Sequence, residues 1–205
     1  MPLEIIFGIN ASGKDAIAKE LKKRDNSIQI TSESKLLMYH LGYIDSYDSQ
    51  DHIDISAYKN LENTSQDRIL ETTRTVYKRT LENFKKSEIK YFLLSHLVFA
   101  LTLDKGKTIY LDKREVPEWY REVGDKFIQV ICNPEEILKR RIKDKSNGVR
   151  DRGNIDSCDE IAKHQSLCDI KWEKFTCELP KNKYLTVVND DLEVAIDIVN
   201  NFIFK

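Results

Sequence analysis

Residues 3–15 read LEIIFGINASGKD, an apolar run followed by a glycine-containing turn and a lysine. The run Leu3–Phe7 has the length of a buried strand, and apolar residues between Lys14 and Lys23 recur on one helical face. The stretch therefore predicts a strand, a tight loop and a helix in direct succession. That succession is typical of α/β domains, in which strands alternate with helices.

The loop between this strand and this helix fits the pattern G-x-x-x-x-G-K, which is typical of phosphate binding. Glycines let the backbone turn so that successive N–H groups point at phosphate oxygens, and the helix amino terminus adds positive potential. The candidate nucleotide-binding residues of this phosphate loop are Gly8, Asn10, Ala11, Ser12, Gly13, Lys14 and Asp15. Lys14 is also a candidate catalytic residue, because its ammonium group can bridge the terminal phosphates. A strand-to-helix turn without a ligand is the alternative interpretation.

Asp15 departs from the usual pattern, which has serine or threonine after the lysine. A hydroxyl group there is a neutral Mg²⁺ ligand, whereas a carboxylate adds negative charge beside the phosphates. We predict that Asp15 binds Mg²⁺ and that metal dependence is steep. The alternative is that Asp15 only stabilises the first helical turn through the helix dipole.

The rest of the chain continues the alternation of strands and helices. Strands are predicted at Ser27–Thr31, Tyr91–Leu101, Lys126–Cys132 and Tyr184–Val188, with a small extra strand at Thr108–Leu111. Helices are predicted at Glu33–Leu41, Gln66–Phe84, Glu135–Lys143, Asp156–Phe175 and Leu192–Phe204, with a short helix or turn at Val116–Val123. We expect a single domain over residues 1–205, with a parallel sheet of about five strands and helices on both faces.

The composition excludes several classes of protein. A chain of 205 residues has the length of one domain, and 33 Lys and Arg against 34 Asp and Glu give a net charge of -1. We therefore expect neither nucleic acid nor a membrane as a partner. Four cysteines without a C-x-x-C pair, and no signal-peptide pattern, indicate a cytoplasmic protein. The oligomeric state stays open.

The charges are unevenly distributed along the chain. Residues 139–152 carry seven basic and two acidic side chains, including Arg140, Arg141, Arg150 and Arg152. Arginine forks suit phosphate oxygens better than lysines do, although a basic run is also common on a solvated surface. Residues 33–62, in contrast, carry six carboxylates and two lysines.

Seven landmarks in sequence order carry a resemblance to a known family. They are Gly8–Asp15, Ile28–Leu41, Leu94-Ser95-His96, the run NPEEILKRR at residues 133–141, Arg150-Asp151, His164-Gln165 and Val188-Asn189. Together they resemble the nucleoside monophosphate kinases of the P-loop superfamily, and most closely the archaeal type of adenylate kinase. The resemblance spans nearly the whole chain.

The resemblance implies a three-layer P-loop NTPase fold that binds ATP and Mg²⁺ and phosphorylates a small nucleotide. By this resemblance, residues 139–155 of this chain are expected to form an arginine-rich lid segment. Residues 33–63 are expected to form the segment that binds the acceptor. Arg140 and Arg150 would then be catalytic, while Arg141, Arg152 and Asn189 would bind ATP. His96 and Arg68 are the candidate acceptor-binding residues, although a buried structural histidine is the common alternative for His96.

Three departures from the family pattern bear on function. Ser95 stands where the family has an aspartate that helps to hold Mg²⁺, and the family's arginine after H-Q is absent, the positions being Cys168 and Asp169. Residues 31–63 contain no arginine and have a net charge of -4. A kinase with another acceptor, or an ATP-binding module that acts as a nucleotide-dependent switch or partner-binding protein, explains these departures. A kinase of nucleic-acid ends is disfavoured by the charge.

Overall fold

The chain was analysed as a computed structural model, which describes residues 2–47, 55–72, 75–76, 78–102, 108–111, 119–147 and 157–204. The strands are β1 (Leu3–Phe7), β2 (Ile28–Ser32), β3 (Lys90–Ser95), β4 (Phe99–Thr102), β5 (Thr108–Leu111), β6 (Lys126–Ile131) and β7 (Tyr184–Val188). The helices are α1 (Lys14–Arg24), α2 (Glu33–His40), α3 (Ile55–Glu62), α4 (Gln66–Thr72), α5 (Lys78–Lys86), α6 (Trp119–Val123), α7 (Pro134–Ser146), α8 (Cys158–Thr176) and α9 (Leu192–Phe204).

Five strands form one parallel sheet in the order β2-β3-β1-β6-β7. Every residue of the central strand β1 is buried, as expected for a strand covered on both faces. Helices α1 and α9 pack on one face, through residues such as Ile17 and Ile196, and residues of α5, α7 and α8 pack on the other. The expected α/β architecture with three layers is therefore confirmed.

The predicted strand Tyr91–Leu101 is wrong in one respect, because it consists of two strands in different sheets. β3 ends at Ser95, and β4 pairs antiparallel with β5 in a separate two-stranded sheet. The neighbouring strand β1 ends at Phe7, which pairs with Ser95, so the ladder has no partner further along. An apolar run does not reveal where its pairing partner stops.

Two helical segments also differ from the sequence prediction. The predicted helix Gln66–Phe84 corresponds to α4 and α5, and residues 73–74 and 77 lie outside the described part of the chain. No helix was predicted between Leu41 and Gln66, but the structure has the helix α3 there. Among the described helices, none is both long and apolar enough to cross a membrane.

A buried carboxylate lies within the central strand. Glu4 is 2% exposed, and within the described residues its Oε2 atom has no hydrogen-bond partner. Burial, reinforced by the negative charge of Asp125, raises the pKa of Glu4 from 4.5 to about 7. The folded chain therefore binds this proton more tightly than the unfolded chain does.

Glu4→Gln is expected to remove a pH-dependent loss of stability. The stabilising effect of the Glu4 proton is complete below pH 4.5 and is lost as the pH rises through about 7, a change of about 3 kcal/mol in the free energy of unfolding. Urea unfolding of the variant and the wild type at pH 5 and pH 8 measures this change. The variant should gain relative to the wild type at pH 8, whereas the exposed control Glu88→Gln should follow the wild type. Parallel pH profiles for Glu4→Gln and the wild type would contradict the account.

Candidate functional site

The residue pairing between neighbouring strands brings the carboxyl ends of the parallel strands to one edge of the sheet. Phe7, the last residue of β1, pairs with Ser95 at the end of β3 and with Gln129 in β6. On the outer strands, Ser32 pairs with Leu94. The loops after these strands consequently leave the sheet side by side, at the edge where parallel α/β sheets bind ligands.

The phosphate loop follows β1 and curls tightly before α1. Gly13 is the N-cap of α1 and adopts a φ of 95°, and Ala11 has a φ of 69°. At Gly8, a Cβ atom would lie only 2.9 Å from the carbonyl oxygen of Val130. Both glycines of the pattern are therefore required by the backbone, one by its left-handed conformation and the other by close packing.

A polar atom inside the loop has an unsatisfied hydrogen-bonding capacity. The hydroxyl group of Ser12 is fully buried and has no hydrogen-bond partner among the described residues. The N-cap Gly13 has no side chain that could accept a hydrogen bond from the first turn of α1. An anion with several oxygen acceptors satisfies both kinds of donor, which is the chemistry that the sequence predicts for this loop.

Lys14 and Asp15 begin α1 and lie in different environments. The Lys14 side chain is 4% exposed, and its Nζ atom donates to the carbonyl oxygen of Ile9 at 3.5 Å. The Asp15 side chain is 65% exposed, with a carboxylate oxygen 4.0 Å from Lys14 Nζ. The lysine therefore lies over its own loop, while the carboxylate is accessible at the rim.

Arg140 binds the outer side of the phosphate loop from α7. Its guanidinium donates to the carbonyl oxygens of Ala11, at 3.5 Å, and Ser12, at 3.4 Å, and also to that of Asn189, at 3.2 Å. Glu136, one turn earlier on α7, accepts a hydrogen bond from Arg140 Nε at 3.2 Å. This arginine therefore supports the backbone of the loop in the described structure.

Arg141 and Asn189 bind further carbonyl groups of the same loop. Arg141 is 4% exposed and donates to the carbonyl oxygen of Asn10 at 3.2 Å. Asn189 follows β7, and its Nδ2 donates to the carbonyl oxygen of Ser12 at 2.7 Å. The structure thus brings three of the predicted nucleotide-site residues, Arg140, Arg141 and Asn189, to the phosphate loop.

Of the four other predicted site residues outside the loop, the structure describes two, His96 and Arg68. Arg150 and Arg152 lie outside the described residues. His96 is half-buried and follows Ser95 at the sheet edge. Arg68 is exposed on α4, and none of its contacts within the described part of the chain reaches the phosphate loop.

A carboxylate at the sheet edge was missed as an individual candidate. Glu33 directly follows β2 and is 5% exposed, and its Oε2 atom accepts a hydrogen bond from Ser95 Oγ at 3.0 Å. In the sequence, Glu33 was considered only as one of the six carboxylates of residues 33–62. Its position immediately after a predicted strand is the signal that could have identified it.

Helix α8 holds the segment that leaves β3. His164 Nε2 donates to the carbonyl oxygen of Val98 at 3.0 Å, and His164 is 4% exposed. Burial lowers the pKa of His164, and the positive charges of Arg141 and Lys14 lower it further. The H-Q landmark of the sequence thus supplies a buried structural bond beside the phosphate loop.

No protein-family profile and no curated protein sequence matches this chain. Solved structures do match over nearly the full length. Shikimate kinase from Bacteroides thetaiotaomicron is 11% identical, with a TM-score of 0.58, over 100% of this chain and 99% of the other. Shikimate kinase from Acinetobacter baumannii, in complex with shikimate, is 12% identical, with a TM-score of 0.57, over 100% of this chain and 94% of the other.

A third similar structure is deoxyadenosine kinase from M. mycoides, which is 15% identical, with a TM-score of 0.52 and coverage of 97% of each chain. The chain has the fold of P-loop kinases. At these identities the similarity establishes the fold, and the closer resemblance to archaeal-type adenylate kinases is not confirmed by it.

Gly13→Ala is expected to weaken both the fold and nucleotide binding. A Cβ atom at this position would overlap Asn189 Nδ2, in addition to the cost of a φ of 95°. Gly42→Ala is the matched control, because Gly42 has a φ of 77° but no atom within 4 Å of the added Cβ. Unfolding should show a loss of about 1 kcal/mol for the control and about 2 kcal/mol or more for Gly13→Ala.

Calorimetric titration with Mg²⁺ and ATP completes the comparison of the two glycine variants. Only Gly13→Ala should lose ATP affinity, by at least about tenfold, because the Cβ displaces the Asn189 contact with the loop. Equal stability losses and equal ATP affinities for the two variants would show that the packing of the loop is unimportant.

Proposed function

We propose that this protein transfers a phosphoryl group from ATP to a small acceptor in a Mg²⁺-dependent reaction. The observation that carries this proposal is the phosphate loop, in which Ser12 Oγ is buried without a partner among the described residues and Lys14 lies over the turn. Both residues belong to the turn that joins β1 to α1 at the edge of the sheet. Charge neutralisation and positioning are the main requirements of phosphoryl transfer.

The loop backbone supports the same proposal. Three successive carbonyl groups, those of Asn10, Ala11 and Ser12, accept hydrogen bonds from side chains outside the loop. Because C=O and N–H point in opposite directions across a trans peptide, the amides of Ala11 and Gly13 are directed away from those side chains, while the amide of Ser12 donates to the carbonyl oxygen of Ile9 at 3.2 Å. Amides directed away from the supporting side chains in this way are suited to the oxygens of the β- and γ-phosphates.

Asp15 is suited to bind a magnesium ion beside Lys14. It offers an accessible carboxylate at the start of α1, 4.0 Å from Lys14 Nζ. Mg²⁺ prefers such oxygen ligands and commonly binds through one or two carboxylates together with nucleotide phosphates. We propose Asp15 as a Mg²⁺ ligand. When bound, the ion neutralises charge that develops on the phosphates.

The arginines of residues 139–155 are assigned two roles in this proposal. Arg140 and Arg141 hold the loop in shape through its carbonyl groups. Arg150 and Arg152, carried over from the resemblance, would close over the phosphates as the lid segment. A guanidinium in that position stabilises the charge of the transferring group.

The resemblance to archaeal-type adenylate kinases indicates that the acceptor is a nucleoside monophosphate. His96, at the end of β3, and Arg68 are the acceptor contacts that this resemblance supports. The shikimate kinases and the deoxyadenosine kinase named above have the same fold, so the fold itself accommodates different acceptors.

A second candidate function is a nucleotide-dependent switch or partner-binding protein without efficient transfer. It is favoured by Ser95, which stands where the resemblance to archaeal-type adenylate kinases would place an aspartate that helps to hold Mg²⁺. Both functions require ATP binding at the phosphate loop, but only the kinase also requires a small acceptor. Calorimetry with acceptors added to the ATP-bound protein separates the two.

Lys14→Ala should abolish transfer from ATP while leaving the protein folded. Removing the ammonium group leaves the developing negative charge without a counter-charge, and the rate should fall by about 10²-fold or more. An ADP-release assay measures this loss with the acceptor that the wild-type protein phosphorylates, found by offering both nucleosides and nucleoside monophosphates. Lys19→Ala is the matched control, because Lys19 is exposed on the same helix. Equal rates for Lys14→Ala and the wild type would contradict the proposed function.

Asp15→Ser tests the proposed metal ligand. The substitution replaces an accessible carboxylate by a neutral oxygen ligand, so ATP binding without metal should improve because repulsion is removed. Mg²⁺ should consequently strengthen ATP binding less in the variant than in the wild type, by about tenfold, since one negative ligand is lost. Calorimetric titrations with ATP in Mg²⁺ and in EDTA give the ratio of the two ATP affinities for each protein. The same ratio in the variant and the wild type would mean that Asp15 interacts only with the helix dipole.

A further inference from the structure

We propose that the acceptor is an uncharged molecule that presents a hydroxyl group to Glu33. This inference rests on the proposed transfer of a phosphoryl group from ATP, and it replaces the nucleoside monophosphate indicated by the resemblance with another class of acceptor at the same site. Its evidence is the position of Glu33, the hydrogen bond that orients it and the charge of the surrounding segment.

Glu33 lies on the acceptor side of the phosphate loop, at the same edge of the sheet. Ser32 pairs with Leu94, which places Glu33 beside Ser95 at the end of the next strand. Ser95 pairs with Phe7, the residue immediately before Gly8 and the phosphate loop. The carboxylate therefore lies two strands from the loop, with a single strand end between them.

Ser95 fixes the direction of the Glu33 side chain. Its hydroxyl group donates to Glu33 Oε2 at 3.0 Å, and the two residues are 1% and 5% exposed, respectively. A carboxylate accepts several hydrogen bonds and, when ionised, donates none. A group oriented in this way is suited to a ligand that brings a proton, such as a hydroxyl group. Ser95 is accordingly a positioning residue and Glu33 a catalytic one.

The sequence segment that contains Glu33 has a composition that is unfavourable for a phosphorylated acceptor. Residues 31–63 contain six carboxylates, two lysines and no arginine. A phosphate monoester carries nearly two negative charges at neutral pH, and its binding sites in proteins are usually built from arginine, lysine and backbone amides. The buried carboxylate would repel such a group, whereas a neutral hydroxyl compound carries no charge to be repelled.

In the transfer reaction, this carboxylate acts as a general base. The acceptor hydroxyl oxygen forms a bond to the γ-phosphorus of ATP, while the bond from that phosphorus to the β–γ bridging oxygen breaks. The electron pair of the broken bond leaves with ADP, and the hydroxyl proton passes to the Glu33 carboxylate, which returns it to water after the product leaves. A phosphate acceptor attacks through an oxygen that is already ionised and needs no base. Glu33 is thus useful for a hydroxyl acceptor only.

Two acceptor panels test the proposal with wild-type protein, Mg²⁺ and ATP. One panel holds the four ribonucleosides, glycerol and glucose, and the other the four nucleoside 5′-monophosphates. ADP release is measured, and phosphorus NMR identifies the product. We expect transfer to at least one member of the first panel and to none of the second. Glu33→Gln should lower that rate by about 10²-fold or more, with unchanged ATP affinity.

Further variants separate the role of Glu33 from a structural one. Glu33→Asp should recover part of the rate, and Ser95→Ala should raise the KM for the acceptor more than it lowers kcat, because the carboxylate is retained but poorly oriented. Glu88→Gln, an exposed glutamate before β3, is the matched control. ATP affinity and circular dichroism show that each variant is folded. A misfolded Glu33→Gln leaves the panel comparison of the wild-type protein decisive.

The outcomes distinguish this inference from the function on which it rests. Failure of the wild-type protein to bind ATP contradicts the proposed function itself. Intact ATP binding with transfer only to monophosphates, or transfer to neither panel, overturns the hydroxyl-acceptor inference and leaves ATP binding standing. A Glu33→Gln variant that is folded and transfers at the wild-type rate overturns it as well.

Discussion

The curled backbone of the phosphate loop is the feature on which the rest of the site depends. Its carbonyl groups face outward and would be unsatisfied without donors, which Arg140, Arg141 and Asn189 supply. An unpaired buried carbonyl costs about 1–3 kcal/mol, so these side chains stabilise a conformation that the loop would not hold alone. The same geometry directs the amides of Ala11 and Gly13 away from those side chains, where an anion can accept their hydrogen bonds. The hydrogen bonds to the loop carbonyls therefore stabilise the fold and also support the proposed binding of phosphate.

The parallel sheet brings these distant donors together. β6 leads into α7, which carries both arginines, and β7 ends directly before Asn189. Because β6 pairs with β1 and β7 pairs with β6, the loops that follow them leave the sheet at the same edge as the phosphate loop. On the opposite side of β1, β2 and β3 place Glu33 and Ser95 at the same edge. In this strand order, the proposed nucleotide site and the proposed acceptor site lie on opposite sides of β1.

Much of this arrangement could be predicted from local sequence, and the rest depends on tertiary contacts. The loop from Gly8 to Lys14 and the strand β1 have strong local signals, and the structure places both as expected. The end of β3 at Ser95 could not be predicted, because it is set by the length of its neighbour β1. The contacts of Arg140 with the loop and the bond between Glu33 and Ser95 join residues far apart in sequence, so no local pattern contains them.

The proposed binding of ATP and Mg²⁺ by the phosphate loop is tested most directly by titration of the wild-type protein. Isothermal calorimetry with ATP in the presence of Mg²⁺ should show one nucleotide bound per chain, and omission of Mg²⁺ should weaken that binding markedly because Asp15 then faces the phosphates without a cation. No binding of ATP under either condition would contradict the account.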